Sequence, residues 1–121
     1  MKILVIDGAN VVGSRPDGWW RDRPGAARRL AEGLETARLP YDRVILVLEG
    51  AARRGRPEGH QQGLRGKHAE GSGDDAVVAE VARQVAAGAE VDVVTADREL
   101  RSRVHAAGGK ALRPGWLLDQ L

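Results

Sequence analysis

"LVIDGANVVG" (residues 4–13) ends an apolar run with an aspartate and places an asparagine three residues later. The run begins upstream as "KILVI" over 2–6, and a continuous apolar run is typical of a strand that is covered on both faces. Such strands form parallel sheets, and ligands bind outside the carboxyl ends of their strands. Asp7 and Asn10 are therefore candidate site residues.

Apolar strands and amphipathic helices alternate along the rest of the chain. Strands are predicted at 43–50 and 90–97, with shorter ones near 64–69 and at 110–114. Helices are predicted from Pro24, over "SGDDAVVAEVARQVAAG" with Gly88 as its C-terminal cap, from 98 to 107, and in "GWLLDQL". This order predicts an α/β three-layer sandwich with a mostly parallel central sheet of about five strands, PIN-like or Rossmann-like, in a single domain over 1–121.

The composition restricts the kinds of site that the chain can form. It has no cysteine, which excludes disulfides and thiolate metal sites, so a metal must use oxygen ligands or the three scattered histidines. No signal-peptide pattern and no apolar run of membrane-spanning length is present, which predicts a cytoplasmic protein without a membrane partner. Sixteen of the 19 basic residues are arginine, which suits phosphate binding but is also typical of GC-rich genomes.

Carboxylates follow the predicted strands and open one helix, and they are nearly absent within the strands: Asp7, Glu49, Asp74, Asp75, Asp97 and Glu99. Each has a structural explanation as a helix cap or a turn residue. Asp7 and Asp97 share one crevice, however, if the direction of the strand order switches between their strands. Like charges that meet there are unfavourable unless a cation lies between them. The predicted cofactor is therefore a hard, oxygen-seeking ion, Mg²⁺ or Mn²⁺.

Three segments, "ILVIDGANVVG", "GDDAVVAEVARQV" and "VDVVTADREL", resemble in this order the motifs of the PIN-like nucleases, specifically their NYN branch, and of the related 5′ nuclease domains of DNA polymerases. The resemblance spans essentially the whole chain. It implies a metal-dependent ribonuclease in which one or two Mg²⁺ ions activate a water and stabilise charge on the scissile phosphate. The residues that it assigns to the metal site are Asp7, Asp74, Asp75 and Asp97, with Asn10 and Glu99 beside them and Glu49 as a further acid.

The chain departs from the 5′ nuclease pattern at one position, because it has Ser72 where those domains carry a glutamate two residues before the acidic pair. Three alternatives therefore stay open: a catalytically weak RNA-binding module, a nucleotide-binding protein, and a toxin-like PIN nuclease. Against nucleotide binding, "DGAN" lacks the glycine spacing of a dinucleotide loop, and no G-x-x-x-x-G-K-(S/T) motif is present.

The loop "DGWWRDR" (17–23) places two tryptophans among basic residues. They are predicted either to stack on unpaired bases of single-stranded RNA, at about 1–3 kcal/mol per base, or to pack over the sheet edge. The Gly/Arg-rich run at 49–68 is either a phosphate-tracking flap or a solvated loop. A second copy of the chain could cover the exposed "KALRP" edge and form a homodimer. The predicted nucleic-acid contacts are Arg15, Trp19, Trp20, Arg21, Arg53, Arg54 and Arg98.

Overall fold

A computed structural model describes residues 1–121 and contains one sheet flanked by helices. The strands are β1 (Lys2–Asp7), β2 (Arg43–Leu48), β3 (Gly59–Gln61), β4 (Leu64–His68), β5 (Glu90–Val94) and β6 (Lys110–Leu112). The helices are α1 (Gly8–Gly13), α2 (Arg23–Thr36), α3 (Gly73–Ala86), α4 (Arg98–Ala106) and α5 (Pro114–Leu118), with 3₁₀ helices at Trp19–Arg21 and Gly50–Gly55. The predicted three-layer α/β sandwich is confirmed. None of these helices combines the length and the apolar character that crossing a bilayer requires.

The sheet has the strand order β3-β4-β2-β1-β5-β6, and every neighbouring pair is parallel except β3 and β4. From β1 the chain moves outward to β2, and after β4 it crosses back through α3 to place β5 on the other side of β1. The switch in direction therefore falls between β1 and β5. This is the position that brings the ends of the Asp7 and Asp97 segments to one crevice.

The two faces of the sheet bury different sets of side chains because neighbouring residues of a strand point to opposite faces. Leu4 and Ile6 of β1 belong to the core cluster that includes α1, α2 and α5. Ile3 and Val5 belong to the cluster that includes α3 and α4. Both faces of β1 are thus fully covered, as its continuous apolar run predicted.

Two elements differ from the prediction. The sheet has a sixth strand, β3, because Gln62 and Gly63 both adopt positive φ angles (53° and 78°) and close a two-residue hairpin onto β4. The segment after Asp7 is the short helix α1 rather than a turn alone, and Gly8 permits its start against β2, since a Cβ there would lie 2.5 Å from the carbonyl oxygen of Val47.

The Gly/Arg-rich run at 49–68 is ordered by a buried arginine. Arg56 is only 4% exposed, pairs with Glu35 of α2, and donates from Nη2 to the carbonyl oxygens of Gln61 (2.7 Å) and Leu64 (2.9 Å). The guanidinium therefore fastens the β3–β4 hairpin to α2. The run is therefore neither a flexible flap nor a solvated loop but a 3₁₀ helix followed by a hairpin, and the second strand of the hairpin is the one predicted near 64–69.

Candidate active site

The alternation of side chains along the strands aims three polar residues at the same side of the sheet edge. Asp7 continues the series Ile3 and Val5, which faces α3 and α4. In the same way Glu49 follows Ile45 and Val47, and Thr95 follows Val91 and Val93. We call this edge, with the first turns of α3 and α4, the acidic rim: Asp7, Glu49, Asp74, Thr95, Asp97 and Glu99.

Asp7 is the most buried carboxylate of the acidic rim, with 4% of its surface exposed. Its Oδ2 accepts a hydrogen bond from the Thr95 hydroxyl (2.9 Å), and its Oδ1 accepts one from the backbone N–H of Asn10 (3.4 Å), which caps α1. Burial raises the pKa of Asp7 to about 6, the two hydrogen bonds oppose this, and the charges of Asp74 and Glu49 raise it further. The carboxylate is thus held in an unfavourable environment for its charge.

Asp74 lies in the first turn of α3, which begins at the edge of the sheet because the Ser72 hydroxyl caps it by accepting from the N–H of Asp75 (3.2 Å). Partial burial raises the pKa of Asp74, and so do the charges of Asp97, Glu49 and Glu99, while Arg103 lowers it. The charges of Asp97, Glu49 and Glu99 therefore lie close enough to Asp74 to disfavour its ionised form.

Glu49 reaches the start of α3 by a direct contact. Its Oε2 accepts a hydrogen bond from the N–H of Gly73 (2.7 Å). The approach is close, since a Cβ at Gly73 would lie 3.1 Å from the carboxyl carbon of Glu49, so a larger residue there would displace the Glu49 side chain. The contact joins the end of β2 to the turn that carries Asp74.

Asp97 and Asn10 define the loop between β5 and α4. Asp97 caps α4, since its Oδ1 accepts from the N–H of Leu100 (2.8 Å). The Asn10 side-chain oxygen accepts from the N–H of Ala96 (2.8 Å) and so ties α1 to this loop. The Thr95 hydroxyl accepts from the N–H of Asp97 (3.2 Å) while it donates to Asp7. One hydroxyl thus fixes the spacing of Asp7 and Asp97.

Two predicted site residues are exposed: Asp75, which lies outside the acidic rim, and Glu99, which belongs to it. Asp75 is exposed, and its carboxylate accepts a hydrogen bond from Arg103 (2.9 Å), an ion pair that lowers its pKa. Glu99 is exposed in the first turn of α4 but contributes to the charge felt by Asp74. The structure therefore groups Asp7, Glu49, Asp74 and Asp97 and directs Asp75 elsewhere.

The donor chemistry of the acidic rim fits a hard divalent cation, because its donors are carboxylate oxygens and a positive ion would offset the burial and the neighbouring negative charges that raise the pKa of Asp7 and Asp74. No three carboxylate or imidazole groups of the chain are already close enough to hold such an ion. Several of the acids are instead engaged in helix caps and in the bond to Gly73.

A cleft of about 510 Å³ adjoins the acidic rim. Its wall includes Glu49, which also belongs to the acidic rim, together with Trp19 and Arg23, and most of the remaining wall consists of glycine and alanine. We call it the Trp19 cleft. The guanidinium of Arg23 lies 4.8 Å from the centroid of the Trp19 ring. Trp20 is 56% exposed and does not line the cleft.

The remaining predicted nucleic-acid contacts are basic residues that surround this region without forming one row. Arg53 and Arg54 are exposed on the 3₁₀ helix that follows Glu49, and Arg53 donates to the carbonyl oxygens of Gly50 and Ala69. Arg21 lies 5.8 Å from the ring centroid of Trp20. Arg15 is half-buried, and Arg98 is exposed directly after Asp97.

Sequence reasoning missed two residues of this region. Thr95 was not among the candidates, although the alternation of Val91 and Val93 places it beside Asp7. Arg23 was not among the predicted nucleic-acid contacts, and the structure places its guanidinium over Trp19. No sequence signal distinguishes an arginine that stacks on a ring from one that contacts phosphate.

The sequence matches no protein-family model and no curated protein at a significant level. Among solved structures, the fold is similar to that of Rae1 (YacP) from Bacillus subtilis, determined as its W164L mutant. The TM-score is 0.76 at 18% sequence identity, and the alignment covers 98% of this chain and 74% of that one. At this identity the similarity shows a shared fold.

Proposed function

We propose that the protein is a metal-dependent ribonuclease that uses Mg²⁺ or Mn²⁺ at the acidic rim to hydrolyse phosphodiester bonds in RNA. The observation that carries the proposal is the environment of Asp7, a buried carboxylate whose pKa is raised to about 6 beside further acids. Carboxylates whose pKa is raised by burial and by neighbouring acids cluster at functional sites. The fold shared with Rae1 and the resemblance to the NYN nucleases support the same conclusion.

In this proposal the ligands of the ion are Asp7, Asp74, Asp97 and Glu49. A divalent ion bound by them supplies charge neutralisation at the scissile phosphate and an activated water. The chain itself supplies orientation: the Thr95 hydroxyl holds Asp7 and positions the Asp97 loop, and Asn10 fastens that loop to α1. Arg98, which is exposed beside Asp97, would contact a phosphate oxygen.

The alternative is an RNA-binding module with little catalytic power. It is favoured by the absence of three preassembled metal-ligating groups and by Ser72 in place of a glutamate. The two functions differ in their response to metal removal. Cleavage requires the ion, whereas binding through arginines and aromatic rings does not.

The test is cleavage of an end-labelled single-stranded RNA of mixed sequence in Mg²⁺, in Mn²⁺ and in EDTA. The proposal expects cleavage with either ion, none in EDTA, and at least a hundredfold loss in Asp7→Asn. Asp119→Asn is the matched control, because Asp119 is an exposed residue at the end of α5. RNA binding without cleavage in either ion supports the alternative, and cleavage by Asp7→Asn at the wild-type rate contradicts the proposed site.

A further inference from the structure

The Trp19 cleft has features of a ligand site that the acidic rim does not explain. Its volume of about 510 Å³ lies within the range of about 300–1,000 Å³ for small-ligand sites. Glu49 belongs both to its wall and to the acidic rim, so a group seated in the cleft lies beside the proposed metal site. A Cβ at Gly50 or Gly71, both on its wall, would have no neighbouring atom within 4 Å, which shows that this space is open.

The cleft presents a flat aromatic ring with one guanidinium against it. Trp19 is half-buried against α1, since a Cβ at Gly13 would contact its ring at 3.8 Å, and Trp20 meets it edge-on with the ring centroids 5.9 Å apart. Asp22 caps α2 by accepting from the N–H of Gly25 (2.9 Å), which fixes the first turn that carries Arg23 over Trp19. Aromatic rings and guanidinium planes are the surfaces on which proteins stack unpaired bases.

The charges around the cleft indicate that its ligand belongs to a polyanionic chain. Arg53 and Arg54 are exposed on the adjoining 3₁₀ helix and can meet phosphates beyond the cleft. Inside the cleft Glu49 is an acid, which disfavours a phosphate there and favours a neutral group with N–H or O–H donors. A base with its ribose has that chemistry.

We propose that the Trp19 cleft binds one unpaired base of the RNA chain and thereby places the neighbouring phosphate at the acidic rim. This inference rests on the proposed ribonuclease function and specifies its substrate as single-stranded. Trp20, outside the cleft, has no part in this contact.

The test compares two ligands of equal charge, an octamer of adenylate and an octamer of the same backbone without bases. Fluorescence anisotropy in EDTA measures binding separately from cleavage. Wild type is expected to prefer the adenylate octamer by about 5- to 150-fold, the value of one stacked base. Trp19→Ala is expected to lose this preference and keep its affinity for the abasic octamer, and Trp20→Ala, the matched control, is expected to keep the preference.

Gly71→Leu places a large side chain on the wall of the cleft without backbone strain, because Gly71 does not adopt a positive φ, and this variant also should lose the preference. A direct readout uses Trp20→Phe/Trp116→Phe, in which Trp19 is the sole tryptophan and its fluorescence should be quenched by the adenylate octamer alone. The inference is overturned if wild type binds the two octamers equally, or if Trp19→Ala and Trp20→Ala lose the preference for the adenylate octamer to the same extent. It is also overturned if adenosine monophosphate binds as tightly as the octamer. If the wild type prefers the adenylate octamer but does not cleave RNA in Mg²⁺ or Mn²⁺, the ribonuclease proposal is contradicted and the base-binding cleft is not.

Discussion

Replacing Asp7 by asparagine is expected to stabilise the fold while it removes activity. The pKa of Asp7 rises from 3.8 to about 6, a difference of roughly two units, which corresponds to about 3 kcal/mol of free energy of unfolding at neutral pH. Asparagine removes the charge but can keep only one of the two hydrogen bonds that Asp7 accepts, which costs about 1 kcal/mol. The net gain is about 2 kcal/mol, or about 8 °C in Tm for a chain of this length.

The pH dependence of the stability gain distinguishes removal of the Asp7 charge from other causes. Because the folded pKa of Asp7 is raised, its ionisation costs no stability below the unfolded value of 3.8, and the cost grows from there to about pH 6 and is complete above it. Urea denaturation of wild type and Asp7→Asn should therefore show the gain at pH 7.5 and none at pH 4. Mg²⁺ should raise the Tm of wild type alone. A variant no more stable than wild type at pH 7.5, or equally stabilised at both pH values, would refute the reasoning.

Further predictions concern the neighbours of Asp7 and the hairpin anchor. Thr95→Val should lower the free energy of unfolding by about 1–3 kcal/mol and reduce cleavage, because Asp7 loses its hydroxyl donor, and Thr95→Ser should restore both in urea and cleavage assays. Asp74→Asn should reduce the cleavage rate far more than Asp75→Asn, since only Asp74 faces the acidic rim; equal losses would contradict the grouping. Arg56→Met should lower the free energy of unfolding by about 2–3 kcal/mol in urea denaturation, because it removes a partly buried ion pair and two hydrogen bonds to carbonyl oxygens, and an unchanged midpoint would contradict that role.

The sheet could be predicted from the sequence because its strands are continuous apolar runs and its helices have clear apolar stripes. The hairpin strand β3 could not, since its two-residue turn is formed by Gln62 and Gly63 and the strand itself is only three residues long and mostly exposed. Its position depends on Arg56, whose partners come from α2 and from the hairpin itself. Contacts of that kind are tertiary and leave no local pattern.

The acidic residues could be named from the sequence. The sequence could not show that Asp74 lies with Asp7 at the acidic rim whereas Asp75 pairs with Arg103. Asp74 and Asp75 are adjacent, and one residue of an α-helix turns the side chain by about 100°, so the two carboxylates point in different directions. Which of them faces the sheet edge depends on how α3 packs, and that is set by Val77 and Val81 in the core. The same holds for Trp19 and Trp20, whose different exposures follow from the 3₁₀ helix between α1 and α2.

The proposed metal site at the acidic rim is tested most directly by locating a bound ion. Crystals of the protein soaked in Mn²⁺ should show an anomalous scattering peak in contact with the Asp7 carboxylate and at least one of Asp74, Asp97 and Glu49. Crystals of Asp7→Asn should lack it. A saturating soak that yields no peak at the acidic rim, or a peak bound only by other residues, would contradict the proposal that a divalent cation binds at the buried Asp7 carboxylate.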